Sequence, residues 1–153
     1  MGRPEGPGCY CYANNILKSV LKGISTHYPF VVIDNEAGLE NLSRRIYQDV
    51  STLVMVTDAS HQGLATIKRL YQLANEMSIN YKKLAILVNR VHASQLSEKF
   101  QKLQCEINAD LLVPLPENDE LRVFGEEGRD LTQLSNRNPV VQQLDQFLKN
   151  IGV

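Results

Sequence analysis

Four short apolar runs, at 30–33, 53–56, 84–88 and 111–113, alternate along this chain with stretches of helical spacing. Each run is mostly β-branched or aliphatic and lacks polar alternation, the pattern of strands buried on both faces of a parallel sheet. Between them, residues 61–77 place Leu64, Ile67, Tyr71 and Ala74 on one helical face, and 94–105 do the same with Leu96, Phe100 and Leu103. Earlier, Ala13, Ile16, Leu17, Val20 and Leu21 recur at helical intervals before Gly23. A last helix is expected from Pro139, with Val140, Val141, Leu144, Phe147, Leu148 and Ile151 along one side. Strands alternating with helices predict an α/β fold, a parallel sheet flanked by helices.

The 153 residues, 43% of them apolar, suffice for one sizeable core, and 1–153 reads as a single unit: a Gly/Pro loop over 1–12, then an α/β core over 13–153. Sixteen Lys and Arg against seventeen Asp and Glu leave a net charge of −1, too little for a bulk basic field toward nucleic acid or anionic lipid. The longest apolar run, Leu84 to Val88, is far short of the roughly 18 residues of a membrane span, and the Gly/Pro start does not read as a signal peptide. The polar face of the last helix (Gln142, Gln143, Asp145, Gln146, Lys149) is not basic enough for an interfacial membrane helix. A cytoplasmic protein without nucleic-acid or membrane partners is expected.

In open parallel α/β sheets, ligands bind beyond the carboxyl ends of the strands, where loops and helix N-termini converge. Here the runs lead into Asp34 to Gly38, Asp58 to His61, Asn89-Arg90, and Pro114 to Asp119. Asp34 with Gly38 four residues on has the form used by nucleotide hydrolases, a carboxylate for Mg²⁺ or its water and an amide for a terminal phosphate; capping of the next turn is the plainer role. Asn89 offers donor and acceptor together to a base edge, or simply forms a turn. His27, His61 and His92 read as surface residues.

Cys9 and Cys11 stand one residue apart in a chain of three cysteines, which is no disulfide framework. Zinc needs four ligands, and a two-fold axis near the motif would bring a second pair from another copy. Two buried thiols before a helix are the alternative. Cys105 reads as a bystander.

The segments GRPEGPGCYCYANN (2–15), DNEAGLENLSRR (34–45), VTDAS (56–60) and LVNR (87–90) together resemble the CooC-type ATPases of the MinD/ParA-like P-loop class, nickel-handling maturation factors of carbon monoxide dehydrogenase. The resemblance runs over nearly the whole chain. It implies ATP or ADP with Mg²⁺, Asp34 on the magnesium side and Gly38 in a switch that senses the γ-phosphate. Asn89, followed by Arg90, would contact adenine while Pro116, Glu117 and Asn118 close over the base. It also implies a homodimer in which Cys9 and Cys11 meet their counterparts and hold Ni²⁺ or Zn²⁺, with carbon monoxide dehydrogenase as the target.

The departure from that family is equally definite. No Gly-x-x-x-x-Gly-Lys-Ser/Thr occurs, since the glycines stand at 2, 6, 8, 23, 38, 63, 125, 128 and 152 and Lys follows none of them. The chain is therefore expected to be the C-terminal portion of such an ATPase, an incomplete P-loop NTPase-like fold without its N-terminal strand, and to hydrolyse no ATP alone. In that class the absent strand lies between those ending at Asp34 and Asp58, so re-pairing within the sheet or an intertwined dimer is expected. A non-catalytic metal-binding dimerisation module and a MinD/ParA-like positioning ATPase are the alternatives.

Overall fold

The computed structural model of the chain describes residues 10–35, 49–92 and 96–153. Helix α1 (Tyr10–Ser25) precedes a parallel sheet of β1 (Asp49–Asp58), β2 (Asn80–Val91) and β3 (Leu111–Pro116), in that spatial order. Helix α2 (His61–Glu76) joins β1 to β2, and α3 (Glu98–Glu106) joins β2 to β3. Helix α4 (Asp119–Glu127), a 3-10 turn at Leu131–Gln133 and α5 (Pro139–Ile151) follow. The α/β fold expected from the alternating pattern is thus the one observed.

The central strand explains why its sequence run is unbroken. Leu84, Ile86 and Val88 lie in one core with Met55 of β1, Ile67 and Ala74 of α2, and Phe100 and Leu103 of α3. Ala85 and Leu87, between them in sequence, join Phe147 of α5 in a second core, against which Val54, Leu111, Val113, Leu144 and Ile151 pack. Alternate residues of one strand therefore feed opposite layers, and both faces must be apolar. A fully buried large aliphatic side chain stabilises by roughly 1.5–3 kcal/mol, whereas an exposed ion pair such as Lys68–Glu106 adds about 1 kcal/mol at most. The two cores, and not the surface charges, hold the sheet.

Local chemistry sets the helix ends. Ser60, Asn118 and Asn138 each accept, through a side-chain oxygen, a backbone N–H in the first turn of α2, α4 and α5. Gly128 and Gly152 close α4 and α5 in the left-handed conformation, with φ of 64° and 91°. Helix α4 had no counterpart in the pattern reading, although its Asn cap, acidic first turn and terminal Gly are ordinary helix signals.

The expected strand at Phe30–Ile33 does not form. These residues lie outside the sheet, with Phe30 and Val31 exposed and Val32 91% exposed. A strand exists only through hydrogen bonds to a neighbour. The ladder of β1 runs to β2, and among the described residues no strand pairs with its other edge. Among the described residues the run at 30–33 does not re-pair with the sheet, and three of the four expected strands are present. The expected α1 does form, but its apolar side (Ile16, Leu17, Val20, Ile24) is exposed. Residue Leu148, assigned to the buried side of the last helix, is also exposed.

Candidate functional site

All three strands run the same way, so their carboxyl ends share one edge. Register sets Asp58 directly beside Asn89 and Val91 beside Pro116, with a shift between Val88 and Val91. Asp58, Asn89, Arg90 and the turn at 116–118 are thereby brought to the same edge of the sheet.

At the end of β1, Asp58 Oδ1 accepts from the Ser60 backbone N–H at 3.0 Å and from the Ser60 hydroxyl at 2.5 Å. Ser60 Oγ in turn accepts from the Gly63 N–H at 2.9 Å. The Ser60 hydroxyl, its backbone amide and, to a lesser degree, the charge of Arg90 hold the Asp58 carboxyl below its ordinary 3.8. Asp58 is therefore ionised at neutral pH and committed to ordering the turn, which suits a positioning group rather than a general acid. Gly63 is required at this spot: a Cβ there would lie within 2.6 Å of the Asp58 carbonyl oxygen and meet Thr57 Oγ1 as well. His61, like His27 and His92, is exposed as expected.

At the end of β2, Asn89 is half-buried and its Oδ1 accepts from the Arg90 N–H at 3.0 Å. Arg90 adopts φ 55°, the left-handed region, where the register of the ladder shifts. That conformation costs a non-glycine residue roughly 1–2 kcal/mol, and the Asn89 carboxamide offsets part of it. Asn89 and Arg90 thus turn the backbone at the point where a ligand of such a sheet would sit.

At the end of β3, the Glu117 N–H donates to the Val91 carbonyl at 3.2 Å, and Glu117 Oε2 lies 2.6 Å from His92 Nδ1. Asn118 Oδ1 accepts twice, from the Leu121 N–H at 2.9 Å and from Asn138 Nδ2 at 2.9 Å. Sequence pattern did not single out Ser60, Gly63 or Asn138. An N-cap signal before Pro139 marks Asn138 as a helix start, but its link to Asn118 exists only in the folded chain.

The remaining site candidates are placed differently. Asp34 is exposed and outside the sheet, so it does not end a strand here. Gly38 and Cys9 lie outside the described residues, and Cys11 falls in α1. Among the described residues no group of three or more His, Cys, Asp or Glu is placed to hold a metal ion. For a nucleotide, the donor set fits the base end: a half-buried carboxamide at Asn89, at the same end of the sheet as a turn with its own polar groups. The phosphate end has no matching loop in this sequence.

No protein-family model matches the chain. An uncharacterized ATP-binding protein of Methanocaldococcus jannaschii is 39% identical to it over 151 residues, 99% of this chain and 59% of that protein. The carbon monoxide dehydrogenase accessory protein CooC of Rhodospirillum rubrum is 28% identical over 131 residues, 85% of this chain and 48% of that protein. The septum site-determining protein MinD of Thermotoga maritima is 19% identical over 118 residues, 74% of this chain and 44% of that protein. The chain is thus similar to an ATP-binding protein and, more weakly, to CooC and MinD. The chain spans about half the length of the curated relatives it matches. A parallel sheet between helices is consistent with a P-loop NTPase-like domain, and its carboxyl edge is where such sheets take their ligands. Among the described residues, no helix is long and apolar enough to cross a membrane.

Proposed function

We propose that this chain forms the base-side half of the nucleotide site in a metal-handling ATPase. The observation that supports the reading is that Asn89 and the turn at Pro116, Glu117 and Asn118 lie at the same carboxyl end of the sheet, the turn being tied to β2 at Val91, two residues beyond Asn89. In this reading Asn89 contacts adenine, the backbone turn at Arg90 orients it, and residues 116–118 close over the base. Asp34 belongs to the Mg²⁺ side and Gly38 to a switch near the γ-phosphate. ATP bound with Mg²⁺ supplies the phosphoryl group whose hydrolysis resets such a site.

Cys9 and Cys11 would pair with the same residues of a second copy to hold Ni²⁺ or Zn²⁺ through four sulfurs. The likeness to an accessory protein of carbon monoxide dehydrogenase supports nickel delivery to that enzyme as the purpose. Backbone amides and a lysine of a phosphate loop are what bind β- and γ-phosphates, and this sequence contains no such loop. The purified 153-residue chain is accordingly expected to show no ATP turnover, and turnover above background would overturn that part. Equilibrium dialysis against Zn²⁺ and Ni²⁺, combined with sedimentation, tests the metal site. One metal per two chains, lost together with the metal-dependent dimer in C9S/C11S, is the expected result, and unchanged binding in that variant would refute it.

A further inference from the structure

Asn138 is 3% exposed and, among the described residues, is the buried polar side chain. Its Oδ1 accepts from the Val140 N–H at 2.9 Å and so caps α5. Its Nδ2 donates to Asn118 Oδ1 at 2.9 Å and to Glu120 Oε2 at 2.8 Å. The cap alone needs only an acceptor, which Ser, Thr or Asp would supply as well. The two N–H donors of a carboxamide are what the contacts to Asn118 and Glu120 require. Asn118 ends the turn that leads from β3 into α4 and caps that helix at the Leu121 N–H, while Glu120 lies in the first turn of α4.

On its other side this turn is held by the Glu117 N–H to Val91 and by the Glu117–His92 pair, in which His92 is largely exposed. Such an exposed pair restrains little, whereas a buried donor shared between two acceptors restrains strongly. Helix α5 is itself seated on the sheet through Phe147. We infer that Asn138 is a positioning residue: it locks the turn at 116–118 and the start of α4 to α5 and thereby fixes the wall that faces the nucleotide base. This inference rests on the reading of 116–118 as the base-closing turn.

The test uses the full chain and two variants. N138D keeps an acceptor for Val140, removes both donors and sets a carboxylate against Glu120. N138D/E120Q returns a donor from the opposite side. Amide hydrogen exchange is read at Leu121 and Val140, and adenosine binding is followed by amide shift changes, with guanosine as the control. In N138D, Leu121 exchange should rise about tenfold, as for one lost hydrogen bond, with Val140 protection retained and adenosine binding weakened; E120Q, which re-forms the 138–120 bond but not the one to Asn118, should restore both in part. Unchanged Leu121 exchange in N138D, or parallel loss at Leu121 and Val140 without rescue, would overturn the lock. Failure of the unaltered chain to bind adenosine would instead overturn the base-site reading and the positioning role built on it, while Leu121 exchange still decides the lock.

Discussion

Ser60 gathers the end of β1 into the start of α2 with two hydrogen bonds to Asp58 and one from Gly63. Because the folded state holds the Asp58 carboxyl below 3.8, folding favours its ionised form. Its stabilising contribution is complete above that ordinary value and is lost as pH falls through the lower folded one. S60A should return the Asp58 titration toward 3.8 and, as the loss of a helix N-cap, cost about 1 kcal/mol. A pH titration of the Asp58 carboxyl resonance with thermal melts of both proteins checks this, and an unmoved titration would refute the role of the hydroxyl. The residues that do this work are short, polar and unremarkable in a sequence. Asp58 was legible because it ends an apolar run; Ser60 and Gly63 matter because of what the fold puts within 3 Å of them.

At the level of elements, α2 lies close to β1 because Gly63 has no side chain to hold them apart. G63A would force the helix start away from the strand end, and overpacking of this kind costs roughly 1–3 kcal/mol. Chemical denaturation of G63A should show that loss, and the Asp58–Ser60 contact should loosen with it; full stability in G63A would show the approach to be dispensable. Among the described residues, all three strands and four of the five α-helices are readable from periodicity, since burial on one face or two leaves a 3.6-residue or unbroken apolar signature. Residues 119–127 were overlooked because their apolar positions, Leu121, Val123 and Phe124, are few and the acidic residues around them resemble a loop. The run at 30–33 misled for the opposite reason: its composition is that of a strand, yet strand formation needs a partner, which composition does not supply.

For the whole molecule, the outer edge of β1 is the telling feature. The strand has ten residues, contains no Lys, Arg or Pro, and carries Val56 at 56% exposure. Between Asp49 and Asp58 at its two ends, the strand lacks the charges that discourage pairing with another chain. The chain is expected to self-associate as its concentration rises, and V56K should reduce that association in sedimentation velocity. A chain that stays monomeric at all concentrations would show the edge to be covered. The exposed apolar side of α1 adds to the same tendency. Sequence alone determined the α/β class and the parallel sheet, with runs ending at 56, 88 and 113, two or three residues short of the observed ends at Asp58, Val91 and Pro116, because burial of each strand is written in its own residues. Tertiary structure decided which strand-like run found a neighbour and that Asn138 grips Asn118 across 20 residues. Those outcomes depend on contacts between segments distant in the chain, where no local pattern records which partner is within reach.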